Sequence, residues 1–268
     1  MPRKQMGHSL AFLKFKHILT QEVQLYWFCL TAFEYSERWW NSIPSGQIPR
    51  IIGDYPSDAG RPFSGINLRP SRYLGLKTSS AELIRGNAIV NICTAFETFL
   101  LYGFQRAIVT NPSIIEDSGM QFTAGELSEG IKTEDFSEWL AKNMVEKYIR
   151  GKSHAKMVEK IDSTILGGLS RGQSDLIARW NKIYLLRNAL VHNGRRVSKE
   201  LSEHWTSRFP NTDEAIVLDD GDVIKTHSIA YELAQCIDEQ LIRTCIQWED
   251  AKVLARIIYL INTSVSYG

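Results

Sequence analysis

An all-α protein is what this sequence predicts, and three observations carry the prediction. Apolar residues recur at spacings of three and four through long runs free of proline. Five of the eight prolines (Pro44, Pro49, Pro56, Pro62 and Pro70) crowd into one stretch, leaving the rest of the chain free to be helical. Strand-like signals occur in only one short place, over 215–226.

The 268 residues suffice for one large domain or two small ones. With 44% hydrophobic and 23% charged residues the chain can bury a real core, which excludes a disordered tail, a fibre and a disulfide-stapled miniprotein. Thirty-one Lys and Arg against thirty Asp and Glu leave a net charge of +1, so any nucleic-acid surface must be a local patch. Cys29, Cys93, Cys236 and Cys245 form no Cys-x-x-Cys and sit in no recognisable nucleophile context. They suggest a reducing cytoplasm and give no support to a zinc site or a cysteine protease. Behind Arg3 and Lys4, the apolar run of a signal peptide is broken by Lys14, Lys16 and His17. The most membrane-like stretch, 86–104, contains Asn87, Asn91, Thr94 and Glu97, and reads as a buried helix with no membrane partner.

Residues 9–40 form the first predicted helix, rich in aromatics from Tyr26 to Trp40. Core or dimer packing accounts for these rings better than base stacking does. An N-terminal helical extension is therefore placed at 1–43, a Pro/Gly-rich connection at 44–78, and the main helical domain at 79–268. Ser79 with Glu82 has the pattern of a capping box and predicts the start of a long central helix reaching Val109. A shorter helix is expected over 134–150, with Trp139, Leu140, Met144, Val145 and Tyr148 on its apolar side. Glycines 167, 168 and 172 then break the chain.

Ser174 is the predicted cap of the next helix, in which Leu176, Trp180, Ile183, Leu186 and Leu190 recur at four, three, three and four. Asn193-Gly194 is its natural left-handed stop. Residues 215–218 and 223–226, around Asp219-Asp220-Gly221-Asp222, predict a small β-hairpin. A last amphipathic helix is expected over 229–248, with a further one toward Ile261.

The end of the Ser174 helix reads Leu186-Arg187-Asn188-Ala189-Leu190-Val191-His192-Asn193-Gly194. Asn188 and His192 are four apart and share a helix face, and the long side chain of Arg187 can reach the same place. His192 falls in the last turn, where the helix dipole favours a cationic ring. A guanidinium to bind phosphate oxygens and an imidazole to move protons are a minimum set for phosphodiester cleavage. Without further context the same residues would serve as C-terminal caps.

This wording at a helix end, behind a long buried helix, resembles the HEPN superfamily. Its ribonuclease members carry Arg-x(4–6)-His, usually with Asn, Asp or His directly after the Arg. The likeness spans roughly 79–248, leaving the N-terminal segment outside it. It implies a HEPN-like helical bundle and a metal-independent endoribonuclease without a cofactor, acting as a homodimer with a composite site. Arg187, Asn188 and His192 would be catalytic, RNA the substrate, and the setting a toxin or an anti-phage defence effector with an antitoxin or regulatory partner. The competing class is a non-catalytic HEPN module that binds RNA, nucleotide or a protein.

Glu97 stands alone among apolar residues, where an unpaired buried carboxylate would be costly. Either it is the counter-ion of Arg187 or it reaches solvent through a gap in the packing. Lys147, Arg150, Lys152, His154, Lys156 and Lys160 precede the motif helix, and Arg195-Arg196 follow it. Lys152, Lys156, Arg195 and Arg196 could track an RNA backbone by charge. A solvated face interrupted by Glu146 and Glu159 explains the same run.

Overall fold

The computed structural model describes residues 8–42, 70–111, 114, 121–149, 153–163 and 168–245. It is helical: α1 (Leu10–Asn41), α2 (Pro70–Thr110), α3 (Ala124–Ile131), α4 (Phe136–Ile149), α5 (His154–Ile161), α6 (Leu169–Gly172), α7 (Ser174–His192), α8 (Lys199–His204) and α9 (Asp220–Cys245). Among the described residues no strand forms, and one isolated bridge joins Arg196 to Ala215.

α2 is the axis of the bundle, packed by α1, α4, α5, α7 and α9. Its Ile89, Ile92, Phe96, Phe99, Leu100 and Phe104 are buried, following a three-four spacing that turns one broad face inward. By length and composition the 79–110 part of this helix could cross a membrane, but here 56% of its most apolar window is buried inside the bundle. α2 begins at Pro70, not at the Ser79–Glu82 capping pattern, so Ser79 is interior to the helix. Proline is suited to a first helical position because the amide it lacks would be unpaired there. The 44–69 part of the expected connection and everything after Cys245, including the helix expected toward Ile261, lie outside the described residues.

The first half of α1 shares the α2 core. Ala11, Phe12, Phe15, Leu19 and Tyr26 are buried, and Phe12 and Phe15 meet Phe99 and Phe96 edge-on, at 76° and 77° between ring planes. Ser9 caps the helix through its hydroxyl, accepting from the Phe12 amide at 3.2 Å. Fully buried Asp238 of α9 accepts from the Ser9 amide at 3.2 Å and meets His8 Nδ1 at 3.2 Å, tying the N-terminus of α1 to α9.

The β-hairpin expected over 215–226 is not there. Val223–Thr226 lie within α9, and Asp219-Asp220-Gly221-Asp222 is its N-terminus. Asp219 Oδ1 accepts from the Asp222 amide at 2.9 Å while Asp222 Oδ2 accepts from the Asp219 amide at 3.0 Å. This reciprocal cap uses the same aspartates that a hairpin turn would have used. Val223, Ile229, Ala230, Leu233, Ala234, Ile237 and Leu241 then bury one helical face. α4 matches expectation, with Ala141, Met144 and Val145 buried.

Candidate functional site

α7 carries the motif. Leu176, Trp180, Ile183, Leu186 and Leu190 are all buried as their spacing requires, fixing the rotation of the helix between α2, α5 and α9. Gln173 occupies the N-cap position without a side-chain bond, so Ser174 is the first helical residue and not the cap. The expected stop is present: Gly194 has φ +58°, and the amides of Asn193 and Arg195 both donate to the Ala189 carbonyl. Arg195 is itself left-handed at φ +61°, a strained conformation for a residue with a Cβ.

That strain is offset by a contact. Arg195 Nη2 donates to the Glu82 carbonyl of α2 at 2.8 Å, and its guanidinium lies flat over Gly86. A Cβ at position 86 would stand 2.8 Å from Nη1, so any larger residue there would make the guanidinium shift. The loop after His192 is thus pinned to α2, and Arg195 is engaged in structure.

Within the motif, Arg187 and Asn188 are half-buried and joined: Arg187 Nη1 donates to Asn188 Oδ1 at 3.0 Å. Neighbouring helical residues diverge, so the long guanidinium must fold back to reach its neighbour, which fixes its direction. His192 is exposed, one turn beyond Asn188. Among the described residues no side chain or carbonyl is bonded to its ring. The structure therefore brings Arg187 and Asn188 together and leaves His192 open to solvent.

Glu97 does not pair with Arg187. Its Oε2 meets Nε2 of His154, the first residue of α5, at 3.5 Å, with a third of the Glu97 side chain reaching solvent. The carboxylate meets a different partner than expected: His154 is 1% exposed, with its ring against Phe96 of α2 and Trp180 of α7. Its ring lies parallel to Trp180 (centroids 5.8 Å apart, 10° between planes) and touches Tyr184 at 4.3 Å. His154 Nδ1 and Trp180 Nε1 are buried with no hydrogen-bond partner. Burial pushes His154 below the usual histidine range; the Glu97 carboxylate opposes that shift and the charge of Arg187 reinforces it. Burial likewise lifts the Cys93 thiol to about 12, with Arg187 and Glu97 pulling in opposite directions. Arg187 and Glu97 thus act on one node without touching each other.

Sequence reasoning placed His154 in a basic run and missed its burial. Local sequence signals only the helix and its inward face, with Ser153 capping α5 through the Lys156 amide and Met157, Val158 and Ile161 buried beside His154; what that face meets is set by α2 and α7. Of the four cations considered for RNA, Lys156 is exposed on α5 and Lys152 lies outside the described residues. Arg196 is exposed and donates to the Asp213 carbonyl at 2.6 Å, and Arg195 is the clasp on α2. Among the described residues no group of three His, Cys, Asp or Glu side chains could hold a metal ion. No protein-family model, curated protein or solved structure matches this chain.

Proposed function

We propose that the chain is a metal-independent endoribonuclease of the HEPN type, working in the cytoplasm as a toxin or defence effector. The observation that carries this reading is the end of α7. An oriented Arg187–Asn188 pair stands one turn before a solvent-open His192, on a helix end pinned by Arg195 to α2.

In this reading the RNA supplies its own nucleophile. One His192 takes the proton of a 2′-OH, the 2′-oxygen bonds to phosphorus, and the 5′-oxygen leaves with a proton from a second His192. Arg187 holds the pentavalent phosphoryl oxygens through its forked donors, and Asn188 keeps the fork aimed. The products are a 2′,3′-cyclic phosphate and a 5′-hydroxyl. The second His192 comes from a second copy, so the active species is a homodimer with a composite cleft, restrained by an antitoxin or regulatory partner. Cleavage of RNA in EDTA by wild type and by His192→Ala is the test. Undiminished cleavage by the purified variant, with contaminating nuclease excluded, overturns it.

The second reading, a non-catalytic HEPN module binding RNA, nucleotide or a protein, draws on one observation. No bond links His192 to Arg187 or Asn188 within the chain. RNA binding without cleavage by a dimeric wild type would favour it.

A further inference from the structure

The second half of α1 is dressed for a partner. Leu25, Phe28, Ala32, Tyr35 and Trp39 recur at spacings of three, four, three and four, with no charged residue in the row. This row lies on the side of α1 turned away from its buried Phe12, Phe15, Leu19 and Tyr26. Leu25 is 55% exposed, Phe28 71% and Tyr35 67%, and Trp39 continues the row at 51%. Taking ~150–250 Å² for a large side chain, the row shows roughly 500 Å² of apolar surface. That is at the upper end for the largest patch on a monomer, and more than half of the ~800 Å² each partner gives to a standard interface.

The spacing says what kind of surface fits. Alternating threes and fours make the seam of a helix that packs knobs into holes against another helix. Bulk also grows along the row, from Leu25 through Phe28 and Tyr35 to Trp39, with small Ala32 in the middle. Two such rows laid antiparallel place Leu25 against Trp39 and Phe28 beside Tyr35, and let the backbones approach at Ala32. A parallel pair would set Trp39 on Trp39 and Leu25 on Leu25, and could not keep an even distance.

We propose that α1 of a second copy of this chain occupies the row, antiparallel, with the two-fold axis at Ala32. The contact is isologous: the same patch meets itself and closes the dimer. It lies toward the end of the bundle that carries the motif. Tyr26 and Arg85 both donate to Asp220 there, at 2.6 and 2.7 Å, and Arg195 clasps Glu82 nearby. The inference does not rest on the ribonuclease reading, although that reading calls for two copies.

Light scattering of the full chain at micromolar concentration should give twice the chain mass, and Phe28→Glu with Tyr35→Glu should halve it while helix content and melting persist. Val217→Glu, a charge placed at a 61% exposed side chain off the row, should leave the dimer intact. Orientation is read by cysteines in a Cys29→Ser background. Leu25→Cys mixed with Trp39→Cys should cross-link under mild oxidation, and neither should cross-link alone. A monomeric wild type, or a dimer indifferent to both glutamates, overturns the assignment. Self-cross-linking of Leu25→Cys overturns the antiparallel arrangement. Absence of RNA cleavage by an intact dimer would overturn the ribonuclease reading and leave this assignment standing.

Discussion

His154 and His192 sit on helices that pack together, one opening α5 and the other near the end of α7, and their surroundings differ in every respect. His154 is pressed between Phe96, Trp180 and Tyr184 with one nitrogen on Glu97 and the other unpartnered. His192 is open to water on a rigid helix end. A buried ring is held by its neighbours and so answers to stability. An open ring on a fixed support can meet a substrate. In the proposed reading the chemistry belongs to His192, while packing makes His154 part of the architecture, although both are single histidines in polar stretches of sequence.

The largest expected effect is on cleavage. His192→Ala should lower RNA cleavage by ~10²-fold or more, as loss of a proton-transfer group does. The same change should move unfolding by less than about 0.5 kcal/mol, because the ring is exposed and makes no bond among the described residues. Chemical denaturation beside a cleavage assay checks both halves. A large stability loss would make His192 structural and break the contrast.

His154→Ala should give the reverse. Removing a fully buried ring stacked on Trp180 leaves a cavity, and a loss of about 2–4 kcal/mol is expected. Cleavage per folded molecule should survive, because Arg187 keeps its bond to Asn188. Loss of activity in a well-folded variant would place His154 in the positioning of Arg187.

The pH dependence follows from the same burial. His154 sits below the ordinary histidine pKa of ~6.5, so between its folded and unfolded values the unfolded chain holds one more proton. Stability then rises with pH, is fully present above ~6.5, and is lost as pH falls below that value. Burial depresses His227 too, with the same sign. Melting followed from pH 7 to pH 5 should show a fall, and His154→Phe should flatten it relative to wild type. An unchanged slope in that variant would mean the buried ring does not titrate with unfolding.

How much of this was legible in the sequence depends on whether the cause was local. The rotation of α7 and its stop at Gly194 follow from spacing and backbone chemistry within a few residues and stand as expected, and α4 falls within two residues of its expected bounds. The Asp219–Asp222 run misled because aspartate and glycine serve a hairpin turn and a helix cap equally. The decision came from Val223 and the apolar periodicity after it, which a four-residue window does not see. The Arg195 clasp and the burial of His154 are tertiary facts. They depend on Gly86 and Phe96 of α2, dozens of residues away in sequence. The Glu97 partner failed for the same reason: the packing of α7 on α2 could be reasoned, but the placing of His154 beside Glu97 by α5 could not.

The smallest expected effect decides what Glu97 is for. The sequence offered Arg187 as its counter-ion, and the structure sets it 3.5 Å from His154 instead. Burial holds His154 below the usual histidine range, so near neutral pH this contact is a long hydrogen bond to an uncharged ring, with a coupling of about 0.5–1 kcal/mol. A double-mutant cycle of Glu97→Gln with His154→Phe, read by denaturant unfolding, should recover that coupling. The parallel cycle with Arg187→Met should come out smaller, because Arg187 reaches Glu97 only through the node they share at His154 and Cys93. The pH ties the two cycles together. Glu97 opposes the depression of His154, so Glu97→Gln should leave that ring harder to protonate and steepen the loss of stability on acidification. If the Arg187 cycle instead shows the larger coupling, the carboxylate belongs to the motif, and the division between a structural and a chemical histidine would have to be redrawn around it.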